Sequence, residues 1–266
     1  MKPFPRARKR FGQHFLEPAW VARLIAAVAP SSGETVVEIG PGRGALTAPL
    51  AAAAGRVIVV ELDRDLAGLL STRVPPNVRV VHADFLDVDL RALLEHEPKP
   101  VRVVGNLPYN AASAILFRLL HSAEDGRLLG EATLMLQREV AERLLARPGD
   151  GDYGALSIQV QLLADVERVL SLPPGAFRPA PKVHSSVVRL HFRPPQVDVG
   201  TRPAFEKVVR GLFRQRRKTL ANALKPVAAC FGRSPAEILE QTHLDGQRRP
   251  ETLSVQDVAS LSRAVL

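Results

Sequence analysis

The segment VRVVGNLPYN, residues 101–110, places Asn106, Pro108 and Tyr109 directly after a run of valines. These residue types suit chemistry on an aromatic amine such as N6 of adenine, which is a poor nucleophile because its lone pair is delocalised into the ring. The Asn106 side-chain oxygen and the Pro108 backbone carbonyl could each accept one amine hydrogen and so favour a pyramidal nitrogen. Proline also fixes the backbone and removes a competing donor.

Tyr109 would then offer a π face to the target base. A base in such a pocket must leave its stack, so we expect single-stranded or flipped nucleic acid as the substrate. The alternative is structural: a turn that ends the strand, with Tyr109 as an ordinary core residue.

A glycine-rich turn, EIGPGRGALT, follows an earlier apolar run and could hold a cofactor. Gly40, Gly42 and Gly44 let the backbone turn sharply and let a ligand lie against it. The turn lacks the Lys-Ser/Thr ending of a nucleoside triphosphate loop, and its spacing departs from the dinucleotide pattern. Glu61 ends the next apolar run, where an acid can accept hydrogen bonds from both ribose hydroxyls. Together these features predict a cofactor that contains ribose.

Asp84 and Phe85 follow a further apolar run, in VRVVHADFLD. A carboxylate at this place could accept a hydrogen bond from the exocyclic amine of a cofactor adenine, and Phe85 could cover a face of its ring. The alternative is that Asp84 serves only the turn, because aspartate is common after strands.

Short apolar runs alternate with helical patterns up to about Leu145, and this alternation must position the motifs. It predicts strands at residues 35–39, 57–61, 78–82, 101–105 and 132–136, with helices at 19–28, 45–54, 65–74, 111–120 and 138–145. Such a pattern is typical of a parallel sheet with helices on both faces. Ligands of these sheets bind beyond the carboxyl ends of the strands, so the motifs above should meet at one edge.

The rest of the chain has a different pattern. Residues 148–154 (PGDGDYG) are a loop by composition, and residues 165–172 and 185–192 are two predicted strands that could form a hairpin closing the sheet. A linker is predicted at 193–203. Residues 204–266 then have a helical pattern, with breaks at Pro226, 232–235 and 246–250, which indicates a small helical domain.

The charge favours a polyanionic partner. Lys and Arg number 36 against 27 Asp and Glu, giving a net charge of +9 and a pI of about 10.4. Two clusters concentrate the surplus: Lys2, Arg6, Arg8, Lys9 and Arg10, and then Arg210, Arg214, Arg216, Arg217 and Lys218. Clusters of this kind fit phosphate contacts of a nucleic acid, although solvated surface charge is the alternative.

Several classes of protein are not favoured. The single cysteine, Cys230, excludes an internal disulfide and a cysteine-based metal cluster, and it fits a reducing compartment. The 7 histidines show no ligand spacing, so we expect no metal. Ser185 and Ser186 lack a G-x-S-x-G frame, which argues against a hydrolase. With no apolar run long enough to span a bilayer and no signal peptide, we expect a cytoplasmic protein without a membrane partner, and a monomer.

The motifs together resemble one family. EIGPG at 38–42, Glu61, Asp84 and NLPYN look like the S-adenosylmethionine-dependent rRNA adenine N6-dimethyltransferases, most closely the KsgA branch. The resemblance extends to residues 9–16 (KRFGQHFL), 177–190 (FRPAPKVHSSVVRL) and 213–224 (FRQRRKTLANAL), and so covers nearly the whole chain. It implies an α/β fold, a Rossmann-like seven-stranded methyltransferase sheet with a small C-terminal helical domain. The implied bounds are 1–195 for the methyltransferase domain, with a basic arm at 1–15, and 203–266 for an rRNA-binding domain.

The resemblance also implies a role for individual residues. The cofactor, S-adenosylmethionine, would be bound by His14, Leu16, Gly40, Gly42, Glu61, Asp84, Phe85 and Asn106. The target adenine would be handled by Asn106, Pro108 and Tyr109, with Phe177 as the second ring of a sandwich. The RNA would be held by Arg8, Lys9, Arg10, Arg214, Arg216, Arg217 and Lys218. Where many members have Asn, this chain has His14.

The activity implied is dimethylation of two adjacent adenines near the 3′ end of 16S rRNA, in the small ribosomal subunit, with a role in small-subunit biogenesis. Three alternatives remain: the large-subunit (23S) rRNA methyltransferase of the macrolide-resistance type, an adenine methyltransferase acting on DNA, and a non-catalytic ribosome-assembly or transcription factor. The segments RRKTLANAL and FRPAPKV favour the small-subunit enzyme.

Overall fold

A computed structural model of the chain describes residues 13–124 and 126–266. The backbone divides into two compact units. The first contains Met1–Ala141 and Asp165–Pro194, and the second contains Glu142–Ala164 and Pro195–Leu266. The predicted bounds of 1–195 and 203–266 therefore differ from the observed division, since residues 142–164 group with the C-terminal helices.

The first unit is built on a mixed sheet. Within the described residues its strands are β1 (Phe15–Leu16), β2 (Thr35–Ile39), β3 (Arg56–Glu61), β4 (Val78–His82), β5 (Val101–Asn106), β6 (Leu129–Gln137), β7 (Ala164–Leu172), β8 (Phe177–Arg178) and β9 (Ser185–Phe192). Seven of these strands form one sheet in the order β4-β3-β2-β5-β6-β9-β7. The strands β2 to β6 pair in parallel, and β9 runs antiparallel to β6. The predicted seven-stranded Rossmann-like sheet is confirmed.

The helices of this unit follow the strands in alternation. They are α1 (Pro18–Val28), α2 (Thr47–Ala53), α3 (Arg64–Ser71), α4 (Leu90–Leu93), α5 (Ala112–Ala123) and α6 (Arg138–Leu145), the last of which continues into the second unit. The five predicted helices are confirmed with small shifts of their ends, whereas α4 was not predicted. The two predicted strands at 165–172 and 185–192 are also confirmed and lie side by side at one edge of the sheet.

The central strands are buried because helices cover both faces of a parallel sheet. All residues of β2 and all but Arg56 of β3 are buried. In the ladders Ile39 lies beside Val60 on one side and Gly105 on the other. The carboxyl ends of β2, β3 and β5 are therefore level with one another, and the residues that follow them meet at one edge.

The second unit is helical. It contains α7 (Ala155–Leu163), α8 (Arg202–Arg214), α9 (Leu220–Ala229), α10 (Pro235–Thr242) and α11 (Val255–Ala264). Tyr153, just before α7, has no exposed surface, and its hydroxyl donates a 2.8 Å hydrogen bond to the Leu253 carbonyl. Its ring also meets Phe213 edge-on, with 6.1 Å between the centroids. These contacts explain why residues 142–164 belong to this unit, although they are distant from it in the chain.

One predicted break is wrong. Helix α9 continues through Pro226, where the sequence predicted an interruption. Ala223, Leu224 and Val227 on this helix are buried, so packing outweighs the loss of one backbone hydrogen bond. The other two predicted breaks are confirmed, because they lie on either side of α10.

Among the described residues, every helix is too short or too polar to cross a bilayer.

Candidate active site

A cleft at the carboxyl edge of the sheet collects most of the predicted site residues. Its walls come from the segments after β2, β3, β4 and β5 and from residues 13–16, which the short pairing of β1 with β8 holds in place. The predicted residues that line it are His14, Leu16, Gly40, Gly42, Glu61, Asp84, Phe85, Asn106, Pro108 and Tyr109. Phe177 is not among its lining residues.

The glycine turn after β2 forms one wall of the cleft. Gly40 has a φ of +65°, and a Cβ built on it would have no atom within 4 Å. Gly42 has a φ of +59°, and a Cβ there would lie 3.0 Å from the Phe15 ring. The Arg43 guanidinium lies 4.2 Å from the centroid of the same ring. The turn therefore packs on Phe15 at Gly42 and exposes bare backbone to the cleft at Gly40.

Glu61 ends β3 and is tied to this turn. One carboxylate oxygen accepts a 2.9 Å hydrogen bond from the Gly42 backbone N–H, and the other accepts a 2.8 Å bond from the N–H of Asp63. Burial raises the pKa of Glu61, while these two backbone donors act in the opposite direction. A carboxylate offers about four lone-pair sites, so Glu61 keeps acceptor capacity for a pair of hydroxyls.

Glu38 lines the same wall and was missed as a site residue. It is 1% exposed, and its carboxyl accepts a 2.6 Å hydrogen bond from the Thr47 hydroxyl. Burial raises the pKa of Glu38 from 4.5 to about 7, and the nearby charge of Glu61 acts in the same direction. Its place in the EIGPG motif, two residues before Gly40, was the signal that could have found it.

Asp84 and Phe85 lie after β4 and line the cleft. One Asp84 carboxylate oxygen accepts a 2.9 Å hydrogen bond from the Leu86 N–H, which is the turn chemistry considered as the alternative. The second oxygen leaves Asp84 with further capacity to accept. Phe85 is buried and is one of the residues that line the cleft.

Asn106 ends β5, and its amide orientation is defined by its partner. The side-chain Nδ2 donates a 2.8 Å hydrogen bond to the backbone carbonyl of His14. Since a carbonyl can only accept, the amide nitrogen must face it, and Oδ1 is the end left for a ligand. The Pro108 carbonyl accepts a 3.0 Å bond from the Ala111 N–H and keeps a second lone pair. Both predicted acceptors therefore retain capacity for an amine hydrogen.

Tyr109 is held from two sides. Its hydroxyl forms a 2.8 Å hydrogen bond with the Ser185 hydroxyl, at the start of β9. The His14 imidazole stacks on its ring, with 5.6 Å between the centroids and 26° between the planes. Burial raises the pKa of Tyr109, so the phenol stays protonated near neutral pH. The sequence raises Ser185 only as a possible nucleophile and does not predict its hydrogen bond with Tyr109.

The structure places Phe177 outside the cleft lining, and its predicted role as the second ring around the target base stays a prediction. Its side chain is 1% exposed and belongs to the apolar core with Leu16, Leu24 and Val28. The cause is the antiparallel pairing of β1 with β8, in which Leu16 lies opposite Phe177. Among the described residues, the ring of His14 stacks on that of Tyr109.

The predicted RNA-binding residues fall into two groups. Arg8, Lys9 and Arg10 lie outside the described residues. Of the other four, Arg214 is the last residue of α8, and Arg216, Arg217 and Lys218 follow directly after it in the second unit. All four are exposed. Arg216 is engaged within that unit, where it lies 3.6 Å from a Glu251 carboxylate oxygen and donates a 3.2 Å hydrogen bond to the Gly151 carbonyl.

Within residues 13–124 and 126–266, no three His, Cys, Asp or Glu side chains are grouped so that they could hold a metal ion.

Known proteins resemble this chain over nearly its full length. The family model of the ribosomal RNA adenine dimethylases matches residues 5–262. The ribosomal RNA small subunit methyltransferase A of Nitrosococcus oceani is 46% identical, covering 97% of this chain and 96% of that protein. The protein of the same name from Geobacter sulfurreducens is 44% identical, covering 98% of this chain and 96% of its own length.

Solved structures agree with the sequence relatives. A dimethyladenosine transferase from Plasmodium falciparum superposes with a TM-score of 0.77 at 26% identity, covering 93% of this chain and 96% of that one. The 23S rRNA methyltransferase ErmE superposes with a TM-score of 0.67 at 27% identity, covering 94% and 99%. On the strength of the family model and these relatives, the chain belongs to the ribosomal RNA adenine dimethylase family.

Proposed function

We propose that the chain transfers methyl groups from S-adenosylmethionine to N6 of two adjacent adenines near the 3′ end of 16S rRNA in the small ribosomal subunit. One observation carries the proposal. In a cleft with a cofactor-type glycine turn, the Asn106 amide nitrogen is bonded to the His14 carbonyl, so its oxygen is left for a ligand, and Tyr109 lines the same cleft. The activity and the rRNA class also follow from membership of the family.

The residues of the first wall fit the proposed cofactor. Gly40 leaves space that a side chain would fill, so the backbone can approach a ligand closely. Glu61 has capacity to accept from ribose hydroxyls, and Asp84 and Phe85 offer an acceptor and a ring face to an adenine. S-adenosylmethionine supplies a methyl group on a sulfonium, which is a good leaving group.

The second wall would hold the target adenine. Asn106 Oδ1 and the Pro108 carbonyl would accept the hydrogens of N6 and direct its lone pair at the methyl group, while Tyr109 would stack on the base. Most of the rate would come from this orientation and from acceptors that stabilise positive charge developing on N6. A catalytic base is not needed, because the methylated nitrogen is acidic and can release its proton to water.

Two adenines of the small subunit are the favoured target, and 23S rRNA is the second candidate. The curated relatives at 46% and 44% identity are both named for the small subunit. The 23S enzyme superposes less well than the dimethyladenosine transferase does, with TM-scores of 0.67 and 0.77. An intact cleft argues against a purely non-catalytic assembly factor, while an added role in subunit biogenesis is compatible with the same activity.

The exposed cations at the end of α8 would contact rRNA phosphates. We also propose that the enzyme is a monomer. Its compartment would be the cytoplasm, where a bacterial-type ribosomal substrate is found.

The test is an assay of substrate choice. The protein is incubated with labelled S-adenosylmethionine and either unmethylated small subunits, large subunits or duplex DNA, and the labelled nucleoside is then identified. Dimethyladenosine from small subunits alone is the expected result. Label in large subunits would favour the second candidate, label in DNA would reject an RNA substrate, and the absence of label in all three would reject the enzymatic function.

A further inference from the structure

The strongest unassigned feature is the contact between His14 and Tyr109. The resemblance placed His14 at the methionine end of the cofactor, yet its imidazole stacks on the ring proposed to hold the target base, with centroids 5.6 Å apart. We infer that residue 14 is a positioning residue for the target adenine, acting on Tyr109 through its side chain and on Asn106 through its backbone. This inference rests on the proposed function and specifies how the same cleft is organised.

Both rings of the pair are anchored by one loop. His14 Nδ1 lies 2.7 Å from the Pro179 carbonyl, which can only accept, so Nδ1 carries a proton and donates. The Tyr109 hydroxyl is bonded to Ser185. Both partners lie in the segment that follows β8. Pro179 comes directly after this strand, and Ser185 is the first residue of β9. The stack is thus held at its two ends rather than being a contact between two loose side chains.

The distance between the His14 and Tyr109 rings determines whether a base can lie between them. A base inserted between them would require about 7 Å between the ring planes, twice the contact distance of about 3.5 Å. The observed 5.6 Å between centroids, with a 26° tilt, leaves no room for one. His14 therefore stacks on one face of Tyr109, and in this proposal the base stacks on the opposite face. Among the described residues, Phe177 is buried in the core and His14 is the ring that stacks on Tyr109, so we assign the orientation of the Tyr109 ring to His14.

The backbone of the same residue orients the second target-binding group. The His14 carbonyl accepts from Asn106 Nδ2 at 2.8 Å and so leaves Oδ1 for N6 of the adenine. Substitution of the side chain keeps this carbonyl in place. Side-chain variants therefore isolate the effect of the stack on Tyr109 from the orientation of Asn106.

Three variants of the full chain test the inference: His14→Ala, His14→Asn and His14→Phe. Alanine removes ring and hydrogen bond, asparagine keeps a donor without an aromatic ring, and phenylalanine keeps a ring without the donor. Each is assayed for S-adenosylmethionine affinity by calorimetry, and for kcat and KM with unmethylated small subunits at saturating S-adenosylmethionine.

We expect alanine and asparagine to lower kcat about three- to tenfold, the range that an aromatic pair contributes. KM for the subunit should change less than about twofold, because many phosphate contacts hold so large a substrate. The Kd for S-adenosylmethionine should also stay within about twofold, and phenylalanine should restore most of kcat. Wild-type kcat in the asparagine variant, or a weakened Kd with an unchanged kcat in the alanine variant, would overturn the inference.

A second readout does not depend on activity. The chain has 2 tyrosines, Tyr109 and Tyr153, so 3-fluorotyrosine labelling gives two ¹⁹F resonances, which a Tyr153→Phe variant assigns. His14→Ala should shift the Tyr109 resonance and leave that of Tyr153 unchanged. An unmoved Tyr109 resonance would show that the stack is absent in solution and would reject the inference. If instead the stack is present but the parent protein methylates no small subunits, the proposed function fails and the contact stands.

Discussion

The cleft has two walls that are built differently: a cofactor wall with Gly40, Gly42 and Glu61, and a target wall with Asn106 and Tyr109. On the cofactor wall, Glu61 accepts hydrogen bonds from the backbone of Gly42 and Asp63, so partners near the ends of β2 and β3 hold one another. On the target wall, Asn106 and Tyr109 are held by residues 14 and 185, which are far from them in the chain. Backbone N–H groups near the strand ends therefore fix the cofactor wall. The target wall is fixed instead by two side chains and one backbone carbonyl that are distant from it in sequence.

This contrast suggests a separation of effects. Damage to the cofactor wall should first weaken binding of S-adenosylmethionine, and damage to the target wall should first slow the transfer.

The largest expected effect is that of Asn106→Ala. Loss of the oriented Oδ1 should lower kcat about 10²- to 10³-fold, as removal of a single group that stabilises developing charge does in other enzymes. The Kd for S-adenosylmethionine should stay within about tenfold. Turnover measured with small subunits and calorimetry with the cofactor give the two values. Asn110→Ala, an exposed neighbour outside the cleft lining, is the matched control. Equal losses of binding and turnover would contradict the assignment of Asn106 to the target wall.

The next effect concerns stability and Glu38. Its pKa is about 7 in the folded chain against an ordinary value of 4.5. A carboxyl with a raised folded pKa stabilises the fold below its unfolded pKa, and this contribution is lost as the pH rises through about 7. A difference of this size corresponds to at most about 3 kcal/mol. Stability should therefore fall between about pH 4.5 and pH 7.

Denaturant unfolding of the parent and of Glu38→Gln across this pH range measures the effect. The glutamine variant keeps an acceptor for the Thr47 hydroxyl but cannot ionise, so its curve should be flatter than that of the parent. Glu95→Gln, on an exposed side chain, should follow the parent. Parallel curves for the parent and Glu38→Gln would show that Glu38 is ionised in the folded chain throughout.

A smaller effect is expected for Glu61→Gln. The two backbone N–H groups that now meet its oxygens would then face one oxygen and one amide nitrogen, because glutamine cannot accept at both ends. Affinity for S-adenosylmethionine should fall about 10- to 100-fold, as expected for one lost charge-assisted hydrogen bond. Calorimetry measures it, and kcat at saturating cofactor should remain near that of the parent. A fall in kcat without a change in affinity would contradict the separation of the two walls.

The same contrast explains what the sequence could predict. The parallel strands, Gly40 and Glu61 follow from runs of apolar residues and from the residue types at their ends, which are local signals. The burial of Phe177 is decided by the pairing of β1 with β8, each two residues long, and such short strands have no periodicity to detect. The roles of Ser185 and His14 beside Tyr109 are also long-range contacts, and neither residue type indicates them by itself.

The bounds of the second unit were missed for a similar reason. Residues 142–164 join it through Tyr153, whose partners Leu253 and Phe213 are distant in sequence. The predicted break at Pro226 is wrong because burial of one face of α9 stabilises the helix more than the proline destabilises it, and helix propensity alone does not include that burial.

The smallest expected effect tests the basic residues at the end of α8, which lie in neither wall. Replacement of Arg217 by Ala should reduce the slope of log affinity against log salt by about one for small-subunit binding, if its guanidinium contacts one phosphate. Arg216→Ala should change the slope less, because that side chain already lies 3.6 Å from a Glu251 carboxylate oxygen. Arg79→Ala, an exposed cation on β4, is the matched control. A salt titration of filter binding gives all three slopes, and an Arg217→Ala slope equal to that of the parent would remove this residue from the RNA-binding surface.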